Sequence, residues 1–156
     1  MKMLFMCTAN SCRSVLSEGL FNHVAPDGFT AISSGSLPSG KLNPRAVSTL
    51  QGLGVDTSAL YSKGSEAFAD SPPDIVITVC DKASSEACPV YFGPAIKSHW
   101  GLPDPSEVDG SDEAIQVAFD ATVEHIKRRF AALFALDLKT LQGDDLKQAL
   151  DRIGAL

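Results

Sequence analysis

Short apolar runs alternate along the chain with stretches in which apolar residues recur every three to four positions. Runs of the first kind are typical of strands buried on both faces, and stretches of the second kind are typical of helices that bury one face. The apolar runs predict strands at residues 2–6, 29–33, 74–79 and 95–99. The periodic stretches predict helices at residues 13–24, 43–53, 111–136 and 143–153. Because strands and helices alternate, we expect one α/β domain with a mostly parallel sheet.

Capping signals mark where two of these helices begin. Asn43 is a residue type that accepts hydrogen bonds from the first helical amides, and Pro44 suits the first helical position. Ser111 or Asp112 can cap the long third helix in the same way. Both signals agree with the periodicity of the residues that follow them.

Composition and charge narrow the function classes. Of the 156 residues, 44% are apolar and 21% are charged, which suits a globular domain with a core. The 13 basic and 19 acidic residues give a net charge of −6, which argues against a general binder of nucleic acid or anionic membranes. The longest apolar run, residues 130–136, is too short to cross a bilayer, and the first residues do not resemble a secretory signal. We therefore expect a cytoplasmic protein whose four cysteines do not form a structural disulfide framework.

The candidate chemistry begins where the first predicted strand ends. Residues 7–14 read Cys-Thr-Ala-Asn-Ser-Cys-Arg-Ser and connect that strand to the first helix. Small residues allow the backbone to curl, so that successive N–H groups and the positive end of the helix face one point. A tetrahedral oxyanion fits such a cup, and the Arg13 guanidinium is suited to bind it with two parallel hydrogen bonds. The candidate substrate-binding residues are Thr8, Ala9, Asn10, Ser11, Cys12, Arg13 and Ser14.

Cys7 stands at the bottom of this cup and is the candidate nucleophile. The positive field of the cup should lower the pKa of its thiol and make it a thiolate at neutral pH. Ser14 can donate a hydrogen bond to that thiolate. In the alternative interpretation, Cys7 is a buried cysteine at a strand end and Arg13 is a surface residue. The cysteine-to-arginine spacing between a strand and a helix favours the catalytic interpretation.

A displacement at the Cys7 thiolate needs an acid that protonates the departing oxygen. Asp104 stands between two prolines after the fourth predicted strand, in the segment His-Trp-Gly-Leu-Pro-Asp-Pro at residues 99–105. A carboxyl group on such a stiff turn is suited to overhang the cup. An aspartate before a proline also starts ordinary turns, and that is the alternative interpretation.

Cys80 follows the third predicted strand, and the carboxyl ends of parallel strands meet at one edge of a sheet. We therefore expect Cys80 and Cys7 to lie in one crevice. Cys88 follows eight residues after Cys80. In the alternative interpretation, Cys80 and Cys88 are two partly buried thiols without a catalytic role. A zinc site is disfavoured because the chain lacks a Cys-x2-Cys spacing or clustered histidines there.

Three segments resemble the arsenate reductases of the low-molecular-weight protein tyrosine phosphatase superfamily. They are the loop at residues 7–14, the cysteine pair in Val-Cys-Asp-Lys-Ala-Ser-Ser-Glu-Ala-Cys-Pro at residues 79–89, and the segment at residues 99–105. The resemblance covers residues 1–136, and residues 137–156 resemble a helical extension found in some members. It implies a single α/β domain with a four-stranded parallel sheet flanked by helices. It also implies reduction of arsenate to arsenite, an activity of arsenic detoxification.

The same resemblance implies a role for each of five residues. Cys7 attacks arsenate, Arg13 binds it, and Asp104 protonates the departing oxygen. Cys80 then attacks the Cys7 sulfur and releases arsenite. Cys88 takes over the disulfide, which thioredoxin or a glutathione/glutaredoxin system reduces. We expect no cofactor and no bound metal ion.

Residues 81–87 are predicted to begin a helix in the reduced protein. An intact helix would hold Cys80 and Cys88 about 12 Å apart, whereas a disulfide needs Cα atoms within about 7 Å. Formation of a Cys80–Cys88 disulfide must therefore unwind or fold over this segment.

Other residues near the cup have two interpretations each. Cys12 either fills the loop or forms a protective disulfide with Cys7. Asn10, Glu18 and Ser33 resemble residues that hold the loop, or a monovalent cation near it, in some relatives. Neither choice follows from the sequence alone.

Two other functions would use the same cup. A phosphotyrosine phosphatase regenerates its cysteine by hydrolysis and needs no second thiol, although the sequence places no aromatic pair near Asp104. A thiol redox sensor or oxyanion-binding protein would bind arsenate or phosphate without turnover. Cys80 and Cys88 favour the reductase, because the delivery of two electrons to arsenic requires a second thiol.

Overall fold

Four parallel strands form one sheet among the residues that the computed structural model describes, which are 1–64, 71–80 and 95–156. The strands are β1 Lys2–Cys7, β2 Thr30–Gly35, β3 Ile75–Thr78 and β4 Ile96–His99. Their spatial order is β2-β1-β3-β4, and every neighbouring pair is parallel. The α-helices in these ranges are α1 Arg13–Val24, α2 Pro44–Gly52, α3 Asp112–Phe134 and α4 Gly143–Gly154. The predicted α/β fold with a four-stranded parallel sheet flanked by helices is confirmed.

The register of the sheet brings the carboxyl ends of β1 and β3 to the same edge. Cys7 is level with Gly35 of β2, and Met6 is level with Thr78 at the end of β3. Cys80 follows two residues after Thr78, so it reaches the edge at which Cys7 ends its strand. This edge is where parallel sheets bind their ligands.

β2 runs two residues beyond its predicted end, because it pairs with β1 as far as Gly35. Gly35 lies against the loop that follows Cys7. A Cβ atom at Gly35 would lie 2.4 Å from the Thr8 carbonyl oxygen and 2.9 Å from the Asn10 nitrogen. A glycine is therefore required for the loop to pass so close to the end of β2.

Both capping signals are confirmed. Asn43 Oδ1 accepts hydrogen bonds from two amides in the first turn of α2, at 2.9 and 3.1 Å. Ser111 Oγ accepts from the Ala114 amide at 3.1 Å, so Ser111 rather than Asp112 caps α3. Each helix therefore begins where its sequence signal places it.

Aromatic rings fill the core between α1, the sheet and α3. The Phe5 ring of β1 lies 5.8 Å from the Phe21 ring of α1 and 5.7 Å from the Phe130 ring of α3, between centroids. Phe134 extends this cluster and lies 5.4 Å from Phe21. The buried rings fix α1, whose first residue ends the candidate loop, against the sheet.

The last helix, α4, packs against β4 and the residue that follows it. Trp100 is buried, and its indole nitrogen donates to the Leu150 carbonyl at 2.8 Å. A Cβ atom at Gly154 would lie 2.5 Å from the His99 carbonyl oxygen, so the end of α4 touches the backbone of β4. The division of the chain into residues 1–136 and an extension stays a prediction.

Residues 65–70 and 81–94 lie outside the described residues, and the second range contains Cys88. The predicted helix start at residues 81–87, and its opening on disulfide formation, therefore stay predictions. Within the described ranges, no helix has the length and apolar character needed to cross a membrane. The cytoplasmic location also stays a prediction.

Candidate active site

The loop that follows β1 turns its carbonyl groups outward. The carbonyl oxygens of residues 7–9 accept hydrogen bonds from the amides of residues 36, 37 and 39, at 2.9 to 3.3 Å. The Ser11 carbonyl accepts from the Asn43 amide at 2.8 Å. Because C=O and N–H of one trans peptide unit point in opposite directions, the amides that follow these carbonyls face the concave side. The loop therefore has the amide-lined cup that the sequence predicts.

Asn10 fixes the turn of this loop. Its φ is 49°, a left-handed conformation that asparagine tolerates better than most residues. The buried side chain donates to Ser14 Oγ and Ser33 Oγ, both at 2.9 Å, and accepts from the Lys63 amide at 2.8 Å. Within the described residues, the hydrogen bond of Ser14 Oγ is therefore with Asn10 and not, as the sequence predicts, with the Cys7 sulfur. Asn10 and Ser14 support the cup from behind.

A buried ion pair continues this network. Glu18 Oε1 accepts from Ser33 Oγ at 2.7 Å and from Lys63 Nζ at 3.0 Å. The side chains of Glu18 and Lys63 are each 8% exposed. The Lys63 ammonium already balances the carboxylate, which supports the interpretation that Asn10, Glu18 and Ser33 hold the loop. Sequence reasoning missed Lys63, because a lysine between Ser62 and a glycine is typical of an exposed loop.

The cup opens into a cavity of about 480 Å³. One wall is the loop with Cys80, and the opposite wall is the segment after β4. The cavity is lined by Cys7, Thr8, Ala9, Ser11, Cys12, Arg13, Cys80, Leu102, Pro103, Asp104, Ser106 and Glu107. The structure therefore brings the predicted catalytic residues Cys7, Arg13, Cys80 and Asp104 together. It does not place Asn10 and Ser14, which were predicted to bind substrate, in the lining.

Arg13 crosses the cavity from the start of α1. Its Nη1 donates to the Leu102 carbonyl at 3.0 Å, and its Nη2 lies 3.4 Å from Asp104 Oδ2. Its Nε is buried and has no hydrogen-bond partner among the described residues. The side chain is only 16% exposed, so it is not the surface group of the alternative interpretation. An unsatisfied buried donor beside a row of amides suits an anion.

Asp104 faces Arg13 from the opposite wall. Its Oδ1 accepts from the Ser106 amide at 2.9 Å and from Ser106 Oγ at 2.6 Å. These contacts cap a short 3₁₀ helix, Pro105–Glu107. Asp104 thus starts a turn and also presents its Oδ2 to the cavity, so the two interpretations of this residue are compatible.

The Cys7 thiol is less acidic than the sequence predicts. Its hydrogen bond with the Cys80 side chain is the largest cause that raises the pKa of Cys7 above its usual value, and burial raises it further. Arg13 and the Thr8 amide lower the pKa of Cys7, as a cup should, but their effect is smaller. The contact with Cys80 therefore opposes the thiolate at neutral pH that the sequence predicts for Cys7. Two neighbouring buried thiols resist ionisation of both.

Cys80 lies beside Cys7 as expected, which confirms that the two share one crevice. Cys80 is 2% exposed, and Thr8 Oγ1 lies 3.6 Å from its sulfur. Cys7, Cys12 and Cys80 are thiols rather than disulfides. In the part of the chain that the structure describes, no group of three or more His, Cys, Asp or Glu residues is arranged to hold a metal ion. Cys88 lies outside the described residues.

Cys12 occupies the position before the first residue of α1 and is buried. Burial, together with the charge of Asp104, raises the pKa of Cys12 to about 12, and Arg13 opposes them. A thiol that keeps its proton to such a high pH is a poor nucleophile at neutral pH. This favours the interpretation in which Cys12 fills the loop.

Known proteins are similar to this chain in sequence. The low molecular weight phosphotyrosine protein phosphatase family matches residues 2–147. The arsenate reductase of Shouchella clausii (strain KSM-K16) is 33% identical over 125 residues, which cover 80% of this chain and 88% of that protein. The arsenate reductase of Bacillus subtilis (strain 168) is 32% identical with the same coverage.

A solved structure has the same fold. It is described as an arsenate reductase in the phosphate binding state, and it superposes with a TM-score of 0.64 at 28% identity. The superposition covers 83% of this chain and 96% of that chain. Since the family match spans the sheet, the cup and the Asp104 segment, the chain belongs to the low molecular weight phosphotyrosine protein phosphatase family.

Proposed function

We propose that the protein is an arsenate reductase that uses Cys7, Cys80 and Cys88 in turn. The observation that carries this proposal is the hydrogen-bonding contact between Cys7 and Cys80 in an anion-binding cavity. A hydrolytic phosphatase needs one thiolate, whereas a second thiol in contact with the nucleophile suits the transfer of two electrons. The similarity to the arsenate reductases of Shouchella clausii and Bacillus subtilis agrees with this interpretation.

In the first step, arsenate binds to the loop amides and to Arg13. The Nε of Arg13 is a buried donor without a partner, and its Nη2 has only a 3.4 Å contact with Asp104, so both nitrogens are suited to bind the oxyanion. The Cys7–Cys80 pair releases its first proton more readily than its second, and one thiolate is enough for attack. The Cys7 sulfur bonds to arsenic as the bond to one arsenate hydroxyl, As–OH, breaks. Asp104 gives its proton to that oxygen, which leaves as water.

In the second step, Cys80 reduces the arsenic. Its sulfur loses its proton and attacks the Cys7 sulfur, and the electron pair of the S–As bond stays with arsenic. As(V) becomes As(III), and the products are arsenite and a Cys7–Cys80 disulfide. The Thr8 hydroxyl, 3.6 Å from the Cys80 sulfur, is placed to hydrogen-bond to that sulfur as it ionises.

Cys88 completes the cycle in this proposal. It attacks the Cys80 sulfur, which frees Cys7 and leaves a Cys80–Cys88 disulfide. Thioredoxin or a glutathione/glutaredoxin system then reduces that disulfide, which suits a reducing, cytoplasmic location. The support for Cys88 is its place in the sequence resemblance.

The cavity suits a bare oxyanion better than a phosphotyrosine. No residue of the described lining is aromatic, and Tyr61 is 56% exposed and not part of it. Among the described residues, the lining therefore offers a phosphotyrosine ring no aromatic side chain against which to stack. This observation places the phosphatase second among the candidate functions.

Arsenate-dependent NADPH consumption tests the proposal, with thioredoxin and glutathione/glutaredoxin systems supplied separately. We expect consumption by the wild type with at least one system. Cys80→Ser should consume none, yet it should still hydrolyse p-nitrophenyl phosphate. Loss of both activities in folded Cys80→Ser would mean that Cys80 supports the core. Phosphate hydrolysis alone in the wild type would make the protein a phosphatase, and arsenate binding without turnover would make it a sensor or binding protein.

A further inference from the structure

The two oxygens of the Asp104 carboxyl group have different surroundings. Oδ1 accepts two hydrogen bonds from Ser106, one from the amide at 2.9 Å and one from the hydroxyl at 2.6 Å. Oδ2 faces Arg13 Nη2 at 3.4 Å across the cavity. Ser106 and Asp104 both line that cavity. Ser106 therefore holds the carboxyl group through Oδ1, while Oδ2 faces the cavity.

This asymmetry decides where a proton can reside. A carboxylic acid carries its proton on one oxygen, and the other oxygen remains an acceptor. Oδ1 already accepts from the Ser106 amide and hydroxyl, so a proton on Oδ1 would displace the amide or force the hydroxyl to turn and accept. A proton on Oδ2 leaves both Ser106 contacts intact. The acid therefore keeps its proton on the oxygen that faces a bound oxyanion.

We propose that Ser106 is a positioning residue that assigns the Asp104 proton to Oδ2 and aims it into the cup. The inference rests on the proposed function, in which Asp104 protonates the departing oxygen. Ser106 itself donates to Asp104 and takes no part in bond making. At 2.6 Å, its O–H···O contact lies at the short end of the range for hydroxyl hydrogen bonds.

Capping alone does not explain the hydroxyl. The Asp104 side chain caps the 3₁₀ helix through the Ser106 amide, and an alanine at this position would keep that amide. The hydroxyl contact is additional, and it is the shorter of the two. Ser106→Ala thus removes the orienting bond and keeps the cap. Ser106 is exposed, so the substitution leaves no buried gap.

To test this, Ser106→Ala and Ser106→Thr are each introduced into two backgrounds, the wild type and the Asp104→Asn variant. The readouts are kcat for p-nitrophenyl phosphate, the single-turnover rate of arsenite formation, and the inhibition constant of inorganic phosphate. Ser106→Ala should lower both rates about five- to tenfold, the worth of one ordinary hydrogen bond, with phosphate inhibition unchanged. Ser106→Thr should restore them, and Ser106→Ala should add no loss to Asp104→Asn. Ser111→Ala, which removes the hydroxyl that caps α3, is the matched control and should keep both rates.

Three results would overturn the inference. Unchanged rates in Ser106→Ala would show that the amide alone orients the acid. An equal loss in the wild-type and Asp104→Asn backgrounds would show that Ser106 acts elsewhere, and weaker phosphate binding would make it a substrate ligand. The acid role itself is tested separately, because Asp104→Asn alone should lower the rates about 10²–10⁴-fold. A loss below about fivefold in that single variant would remove both the acid role and this inference.

Discussion

Two arginines, the half-buried Arg13 and the buried Arg129, bind the same segment, residues 100–104. Arg13 donates to the Leu102 carbonyl at 3.0 Å, and Arg129 donates to the Trp100 carbonyl at 2.8 Å. Each has a buried Nε without a hydrogen-bond partner among the described residues. The two guanidinium groups therefore look alike until their remaining contacts are compared.

The difference lies in what each arginine faces beyond that segment. Arg13 lines a cavity and approaches a carboxylate on the opposite wall. Arg129 is 4% exposed, and its Nη2 donates to the Gly154 carbonyl at 3.0 Å and the Leu156 carbonyl at 3.4 Å, at the end of α4. Burial lowers the pKa of Arg129 from its usual value. An unsatisfied buried guanidinium thus indicates a ligand site where a cavity adjoins it, and a packing role where the chain closes over it.

Arg13→Lys should have a much larger effect on activity than Arg129→Lys. An ammonium cannot make the two-pronged contact, so arsenate reduction and aryl phosphate hydrolysis should both fall about 10²–10³-fold. Cys7→Ser, which removes the nucleophile, should abolish both activities and serves as the zero reference. The matched Arg129→Lys variant should keep both rates close to the wild type in initial-rate assays. Equal losses of activity in the two lysine variants would contradict the assignment of ligand binding to Arg13 and of packing to Arg129.

For stability the order of the two arginines should be the reverse of their order for activity: Arg129→Met should destabilise the protein more than Arg13→Met. The Trp100 and Gly154 carbonyls would lose their donor, whereas the Leu156 carbonyl keeps its contact with His125 Nε2. The free energy of unfolding should therefore fall by about 3 kcal/mol. Arg13→Met removes a partly exposed pair and should cost about 1 kcal/mol or less. Denaturant unfolding of both variants measures this. If Arg13→Met were the less stable of the two variants, Arg13 rather than Arg129 would have the main structural role.

Cys80→Ala should shift the pH at which Cys7 reacts. The Cys80 hydrogen bond is the largest cause that raises the pKa of Cys7, and Arg13 lowers that pKa. Without Cys80, the thiolate should form at lower pH, so the iodoacetamide rate profile of Cys7 should move to lower pH. Peptide mapping identifies the labelled cysteine, and Cys12, with a pKa of about 12, should stay unlabelled at neutral pH. A profile that stays in place or moves to higher pH would show that Cys80 does not control the acidity of Cys7.

The sequence predicts those features that depend on neighbouring residues. The strands, the cap at Asn43 and the cup at residues 7–14 all follow from local pattern, and the structure contains them. The meeting of Cys7 and Cys80 also follows, because parallel strands end at a common edge. Local signals and a simple sheet rule were therefore enough for the fold and for much of the site.

The features that sequence reasoning missed depend on contacts between distant segments. Lys63 bonds to Glu18 across 45 residues, and Arg13 bonds to the Leu102 carbonyl across 89. Neither contact follows from a residue pattern, because the sequence does not show which distant groups the fold brings together. The acidity expected for Cys7 was incomplete for a related reason: the cup lowers the pKa of the thiol, whereas the contact with Cys80 raises it.

The most direct test of the account is a single turnover of the reduced Cys88→Ser variant with arsenate and no external reductant. The contact between Cys7 and Cys80 predicts about one equivalent of arsenite and a Cys7–Cys80 disulfide, identified by peptide mass spectrometry. Cys88→Ser prevents the next exchange, so this disulfide should accumulate. Arsenate binding with neither arsenite nor this disulfide, in a variant that still hydrolyses p-nitrophenyl phosphate, would contradict the account.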